Sequence, residues 1–161
     1  MTVQTAYSTT HDASYAGQIA DMQLANIISK LNKGTAVIPY GKFVVTDGDN
    51  GAKLPEAAST AAQINGVVVY EVNRAQATGA VAGAVAKYDF SVMSVGPIWV
   101  KAASAVTKDQ PVFMRVGATN NGDAANAAGS GATLSVAVPN AKFLTDGAVG
   151  ALVKISIGLG G

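Results

Sequence analysis

Val45–Gly51 reads VTDGDNG, two aspartates and an asparagine set among glycines, and calcium binding is the chemistry such a cluster would perform. An EF-hand loop needs ligands at positions 1, 3 and 5, glycine at 6 and a bidentate acid at 12. Counted from Asp47, Asp49 takes position 3, but Gly51, Ala52 and Ala58 fall at 5, 6 and 12. The register fails, and the segment reads as a turn between strands. Asp and Asn bond nearby amides there, and glycine allows positive φ. The sole histidine, His11, precedes Asp12, without the further His or clustered carboxylates that a metal centre or a triad requires. Gly129-Ser130-Gly131 lacks the strand before it and the helix after it that a nucleophile elbow needs. The only glutamates, Glu56 and Glu71, have nothing that singles them out as an acid–base pair. No catalytic residue, metal ligand set or cofactor is assigned, and the protein reads as a non-enzyme.

Composition narrows the partners. Charged residues make up 13% of 161, about half the usual share, and the net charge is +1. The surface is therefore alanine, glycine, serine, threonine and asparagine, which gives a free monomer little electrostatic protection and suggests that a partner covers part of it. The eleven Lys and Arg are scattered singly, so no stripe could track phosphates, and direct nucleic-acid binding is not expected. Arg74 and Arg115 are the only arginines and are candidate interface anchors. Cysteine is absent, which removes disulfides and thiolate chemistry. The opening MTVQTAYSTTHD has neither the basic flank nor the apolar block of a secretory signal, and the longest uncharged run, Ala124–Ala141, is punctuated by Asn126, Pro139 and Asn140. The reading is a protein made without export and without a membrane span.

The elements follow from periodicity. In YAGQIADMQLANIISKLNKG, Leu24, Ile27, Ile28 and Leu31 have the i, i+3, i+4, i+7 spacing of a helical face, with Gly34 at a stop position. This predicts an N-terminal arm, 1–34, containing a short helix whose apolar face packs either on its own domain or on another subunit. From Thr35 the period becomes two: Tyr88, Phe90 and Val92; Leu134, Val136 and Val138; Ala151, Val153, Ile155 and Ile157. Further strands are expected at 37–45, 64–72, 97–101 and 111–116. The fold class is mostly β, a compact antiparallel β-sandwich or small barrel, jelly-roll-like, over 35–158, followed by a flexible tail, 159–161. The bulk-free segment 75–87 is either a thin strand against a closely approaching backbone or a surface loop, and 117–132 reads as a mobile or partner-ordered loop.

SYAGQIADMQL (14–24), TDG (46–48), INGVVVYEV (64–72) and KDQPVFMRV (108–116), in this order, resemble the structural cement, or head decoration, proteins of tailed bacteriophages. The segments 75–86 and 117–132 carry no matching pattern. The resemblance implies a non-enzymatic virion component on the outer surface of the head, assembled in the host cytoplasm, which clamps adjacent major capsid protein subunits and self-associates as a dimer or trimer. It places the capsid or subunit contact on the arm, at Tyr15, Gly17, Ile19, Asp21, Leu24, Ile27, Ile28 and Leu31. The alternative is a β-sandwich adhesin or carbohydrate-binding module with aromatics exposed around Trp99.

Overall fold

The computed structural model describes residues 15–72 and 81–159. In chain order the strands are β1 Asn26–Leu31, β2 Ile38–Pro39, β3 Phe43–Asp47, β4 Gly51–Lys53, β5 Ile64–Val68, β6 Gly83–Ala84, β7 Asp89–Lys101, β8 Pro111–Arg115, β9 Ala124–Ala125, β10 Ser135–Phe143 and β11 Leu152–Gly158. Single 3-10 turns at Ala61–Gln63 and Gly131–Thr133 are the only helical elements among the described residues. The protein is mostly β, as its alternating segments predict. His11, Arg74 and the diglycine end of the tail lie outside the described residues.

β7 organises the rest. Its 13 residues, DFSVMSVGPIWVK, combine β-branched and aromatic side chains with Gly96 and Pro97 near the middle, where partners change. β11 runs antiparallel along Val95–Lys101 and β1 along Asp89–Val95, end to end on one edge. On the other edge β5 pairs with Val92 and Met93, and the chain at Gly17–Ala20 pairs with Pro97–Trp99. The strand order β1-β4-β3-β5-β7, with β1 returning to β7, closes a small barrel. From β7 the sheet continues through β11, β10 and β8 to β9, and curls until Ala124 forms a bridge with Ala102 just beyond β7.

Strands buried on both faces read as continuous apolar runs rather than alternations. In β3, Phe43 and Val45 enter the larger core with Met93, Ile98, Met114, Phe143 and Ile155, while Val44 enters a second core with Ile38, Val68, Phe90 and Val92. β5 divides in the same way at Val67 and Val68. Phe43, Phe90 and Phe143 are fully buried, each contributing roughly 1.5–3 kcal/mol by leaving water. β3 and β4 form a hairpin around Gly48–Asn50, with Asp47 opposite Gly51, so the acidic cluster is a turn. Of the bulk-free segment, 75–80 lies outside the described residues; in the part from 81, β6 pairs with β2, and Gly83 meets the Ile38 carbonyl so closely that no Cβ would fit, a thin strand against a closely approaching backbone.

The low-complexity stretch 117–132, expected as a mobile or partner-ordered loop, is hydrogen-bonded within the chain. Gly117 and Thr119 donate to the Leu134 and Ala132 carbonyls, and Gly122 to that of Arg115. Asp123, almost fully buried, pairs with Lys42 Nζ at 2.7 Å. Burial pushes its carboxyl above the usual carboxylate range, against the opposing pull of the Lys42 ammonium. Small residues and asparagine suit this path because Asn120 and Gly122 adopt positive φ and Ala124 and Ala125 are buried.

Gly66 sits where the β3–β5 register shifts, at φ +142°, and an added Cβ would collide with the Met93 carbonyl of β7. Replacing Gly66 by alanine should therefore destabilise the barrel by about 3 kcal/mol or more, combining backbone strain with overpacking. Chemical denaturation of the variant beside the parent protein measures this directly.

Candidate functional site

The N-terminal segment is built from backbone hydrogen bonds before any side chain contributes. Gly17 donates to the Trp99 carbonyl at 2.7 Å and accepts from the Tyr70 amide at 2.8 Å, tying β7 to the end of β5. Its φ is +83°, and a Cβ would stand 2.6 Å from the Val68 carbonyl oxygen and 2.8 Å from the Gly41 nitrogen, so only glycine fits. Trp99 donates to the Gln18 carbonyl at 2.9 Å, and Ala20 to that of Pro97 at 3.0 Å. Trp99 itself is half-buried.

Side chains then fix the segment at both ends. The Tyr15 ring stacks on Tyr70 with centroids 5.0 Å apart and planes 7° from parallel, and Tyr70 meets Tyr40 edge-on at 5.1 Å. At the far end Asp21 accepts a hydrogen bond from Lys154 of β11 at 3.0 Å. That bond holds the Asp21 carboxyl below its usual range, with the Gln23 amide adding to the effect against partial desolvation.

The helix expected around Leu24–Leu31 is absent; the structure has β1 there. Leu24 lies before the strand and is exposed, Ile27 points outward, Ile28 packs against the smaller core, and the Leu31 amide donates to Asn50. The adjacent β-branched pair Ile27-Ile28 suits an extended strand, and the edge of β7 supplies a ladder that a helix could not complete. Helical spacing was satisfied in sequence, but tertiary pairing decided the conformation.

Of the expected contact residues, Gly17, Ile28 and Leu31 serve the fold, Asp21 tethers the segment, and Tyr15, Ile19, Leu24 and Ile27 carry exposed surface. Met22 and Val72, not singled out in the sequence, join them: Met22 is 103% exposed, Leu24 86% and Val72 81%. Their signal was a large apolar residue within an otherwise polar stretch. Tyr15, Gln18, Ile19, Val69, Tyr70 and Val72 line an open groove of about 400 Å³. These side chains leave an exposed apolar surface on this segment of the chain.

The other sequence candidates are structural. Arg115 is buried and its guanidinium donates to the Thr133 carbonyl. Glu56 pairs with Lys53 at 2.7 Å, and Glu71 accepts from the Ser91 amide at 2.9 Å. Among the described residues no group of three or more His, Cys, Asp or Glu could hold a metal ion, and no helix is long and apolar enough to cross a membrane.

Residues 3–158 match the family described as structural cement protein (E217 gp24/Pam3 gp6). The chain belongs to that family. It is therefore a phage capsid-associated structural protein, a virion component. Among solved structures, a chain in the capsid of Myoviridae phage XM1 is similar at TM-score 0.70 and 21% identity, covering 97% of both chains, and so shares the fold. The N base of the head fibre gp8.5 of bacteriophage phi29 is a more distant likeness, at TM-score 0.44 and 14% identity over 84% of this chain and 96% of that one. No curated protein matches the sequence.

Because the folded-state value of Asp21 is depressed, its tether is fully present above the unfolded value of 3.8 and is lost as pH falls through the folded value. Asp21→Asn at neutral pH should reproduce the acid behaviour, with faster hydrogen exchange at the Ala20 amide and unchanged protection at Val100. NMR-detected exchange separates the two outcomes.

Proposed function

We propose that this cement protein binds the outer surface of the phage head and clamps adjacent major capsid protein subunits. The observation that carries the reading is the run of exposed apolar side chains, Tyr15, Ile19, Met22 and Leu24 with Val72 beside them, on a segment whose backbone is already fastened to β7. Each such side chain contributes roughly 1.5–3 kcal/mol when fully removed from water, so a few suffice for a modest contact. A closed shell repeats the contact many times, and repeated modest contacts hold a lattice through effective concentration rather than through any single strong site. The consequence would be a head that resists the outward pressure of its DNA.

The contact surface is placed on 15–27. The segment 1–34 remains the proposed arm, but Asn26–Leu31 is one wall of the barrel, so single substitutions test the arm more cleanly than its removal. The groove beside Tyr15 and Tyr70 is where an apolar side chain of a capsid subunit would seat. Nothing in this role requires catalysis or a cofactor.

The test uses expanded heads that lack the protein, mixed with the purified chain and separated by gradient sedimentation. The parent protein should co-sediment saturably at a fixed ratio to the major capsid protein. Leu24→Ser combined with Met22→Ser, both at exposed positions, should keep the thermal melt and weaken attachment at least tenfold, about 1.4 kcal/mol or more. Full attachment by this variant would refute the assigned surface, and a parent protein that stays at the top of the gradient would refute the capsid partner.

A further inference from the structure

We infer that Met22 is a redox-sensitive modification site: its thioether takes an oxygen atom from a peroxide in the free protein, and the resulting sulfoxide weakens the contact between this surface and the head. The second half rests on the capsid reading proposed above; the first stands on the fold alone.

The backbone decides how Met22 is presented. Ala20 donates to the Pro97 carbonyl at 3.0 Å, and the Leu24 carbonyl oxygen and the Ala25 Cα lie 3.2 Å from where a Cβ on Gly96 would stand. Both ends of 21–24 are therefore anchored on neighbouring residues of β7, and the chain between them forms an arch on which Met22, Gln23 and Leu24 are exposed. Asp21 stiffens the arch. One of its carboxylate oxygens accepts from the Gln23 amide at 3.2 Å and the other from Lys154 at 3.0 Å. Met22 stands at the crown between these two residues, fully in water.

Without cysteine in the chain, thioethers are its readiest acceptors of oxygen. A sulfur lone pair attacks one peroxide oxygen, the S–O bond forms as the O–O bond breaks, the sulfur is oxidised, and hydrogen peroxide is reduced to water. The fold grants the oxidant unequal access. Met93 and Met114 are 0% exposed and belong to the larger core, whereas Met1 lies outside the described residues. Oxygen added at the crown therefore leaves the core and both anchors of the arch untouched. It converts a flexible apolar side chain into a polar one beside Leu24, on the surface assigned to the capsid contact. Burying that sulfoxide against a capsid subunit costs the free energy of a polar group without a donor. The reaction is reversed by thiol-dependent methionine sulfoxide reductases, which makes the site a switch.

Dilute hydrogen peroxide applied to the purified full chain, followed by peptide mass mapping, tests the site. Met22 should gain its oxygen roughly tenfold faster than Met93 and Met114, with the thermal melt unchanged. Protein already bound to heads should be protected at Met22. In gradient sedimentation the oxidised protein should attach roughly threefold more weakly, and reductase treatment should restore attachment. Met22→Leu, apolar but without a thioether, should attach like the parent before and after peroxide. Reaction at Met22 no faster than at the two core methionines would overturn the modification site. Equal oxidation of free and head-bound protein, undiminished attachment of the oxidised protein, or the same loss in peroxide-treated Met22→Leu would overturn the switch and leave the capsid reading standing. A parent protein that never moves with heads would refute the capsid reading and the switch together, while the selectivity for Met22 is decided by the mass map alone.

Discussion

The whole structure depends on one strand, β7, whose two edges are shared among four neighbours. β7 is too long for any single neighbour: β11 and β1 divide one edge, and β5 and the segment Gly17–Ala20 divide the other. A buried backbone amide or carbonyl without a partner costs free energy comparable to a lost hydrogen bond, so each neighbour is held in place by the same requirement. This explains why the N-terminal segment is fastened to the domain although much of its side-chain surface is not packed on it. Its backbone answers to β7, and several of its side chains are left over.

The same constraint explains the composition. Where strands share a central partner and are buried on both faces, neighbouring backbones approach closely, and glycine appears at the crossings: Gly17 against Val68 and Gly41, Gly66 against Met93, Gly83 against Ile38. The apolar share of the sequence is therefore spent partly on bulk, as in Phe43 and Met93, and partly on the absence of bulk. Charge is rare because little of this architecture calls for it. The ion pair between the nearly fully buried Asp123 and the half-buried Lys42 is the exception; it joins the loop before β9 to the residue before β3, at a desolvation cost that raises the Asp123 pKa.

Alternation made the half-buried strands legible. Leu152–Gly158 alternates in the sequence and alternates between half-buried and buried in the structure. β3 and β5 were legible as apolar runs, but nothing local said that both faces would be covered. The segment around Ile27 was misread because Leu24, Ile27, Ile28 and Leu31 satisfy helical spacing while a strand of the same residues needs only a free edge to join, and that edge is more than 50 residues away at Asp89–Val95. For the same reason Asp21 could be flagged as part of a motif but not as the partner of Lys154, 133 positions distant. The exposed surface was partly legible: Tyr15, Ile19 and Leu24 came from the motif, whereas Met22 and Val72 offered only an apolar residue among polar ones and gain meaning from their exposure in the fold.

Fastening the segment by its backbone also changes what a contact through it must achieve. A disordered arm that ordered on binding would lose roughly 1–2 kcal/mol of backbone entropy per residue at that moment, which would consume the gain from several buried side chains. Here Gly17–Ala20 is ordered on β7, Asp21 is held by Lys154, and Asn26–Leu31 is a wall of the barrel, so that loss belongs to folding. A small apolar surface can then be enough, because its binding free energy is offset mainly by side-chain ordering and by the lost freedom of the whole molecule. Conversely, loosening the tether at Asp21 would weaken a contact at Leu24 without touching it, by returning part of the ordering cost to the binding step.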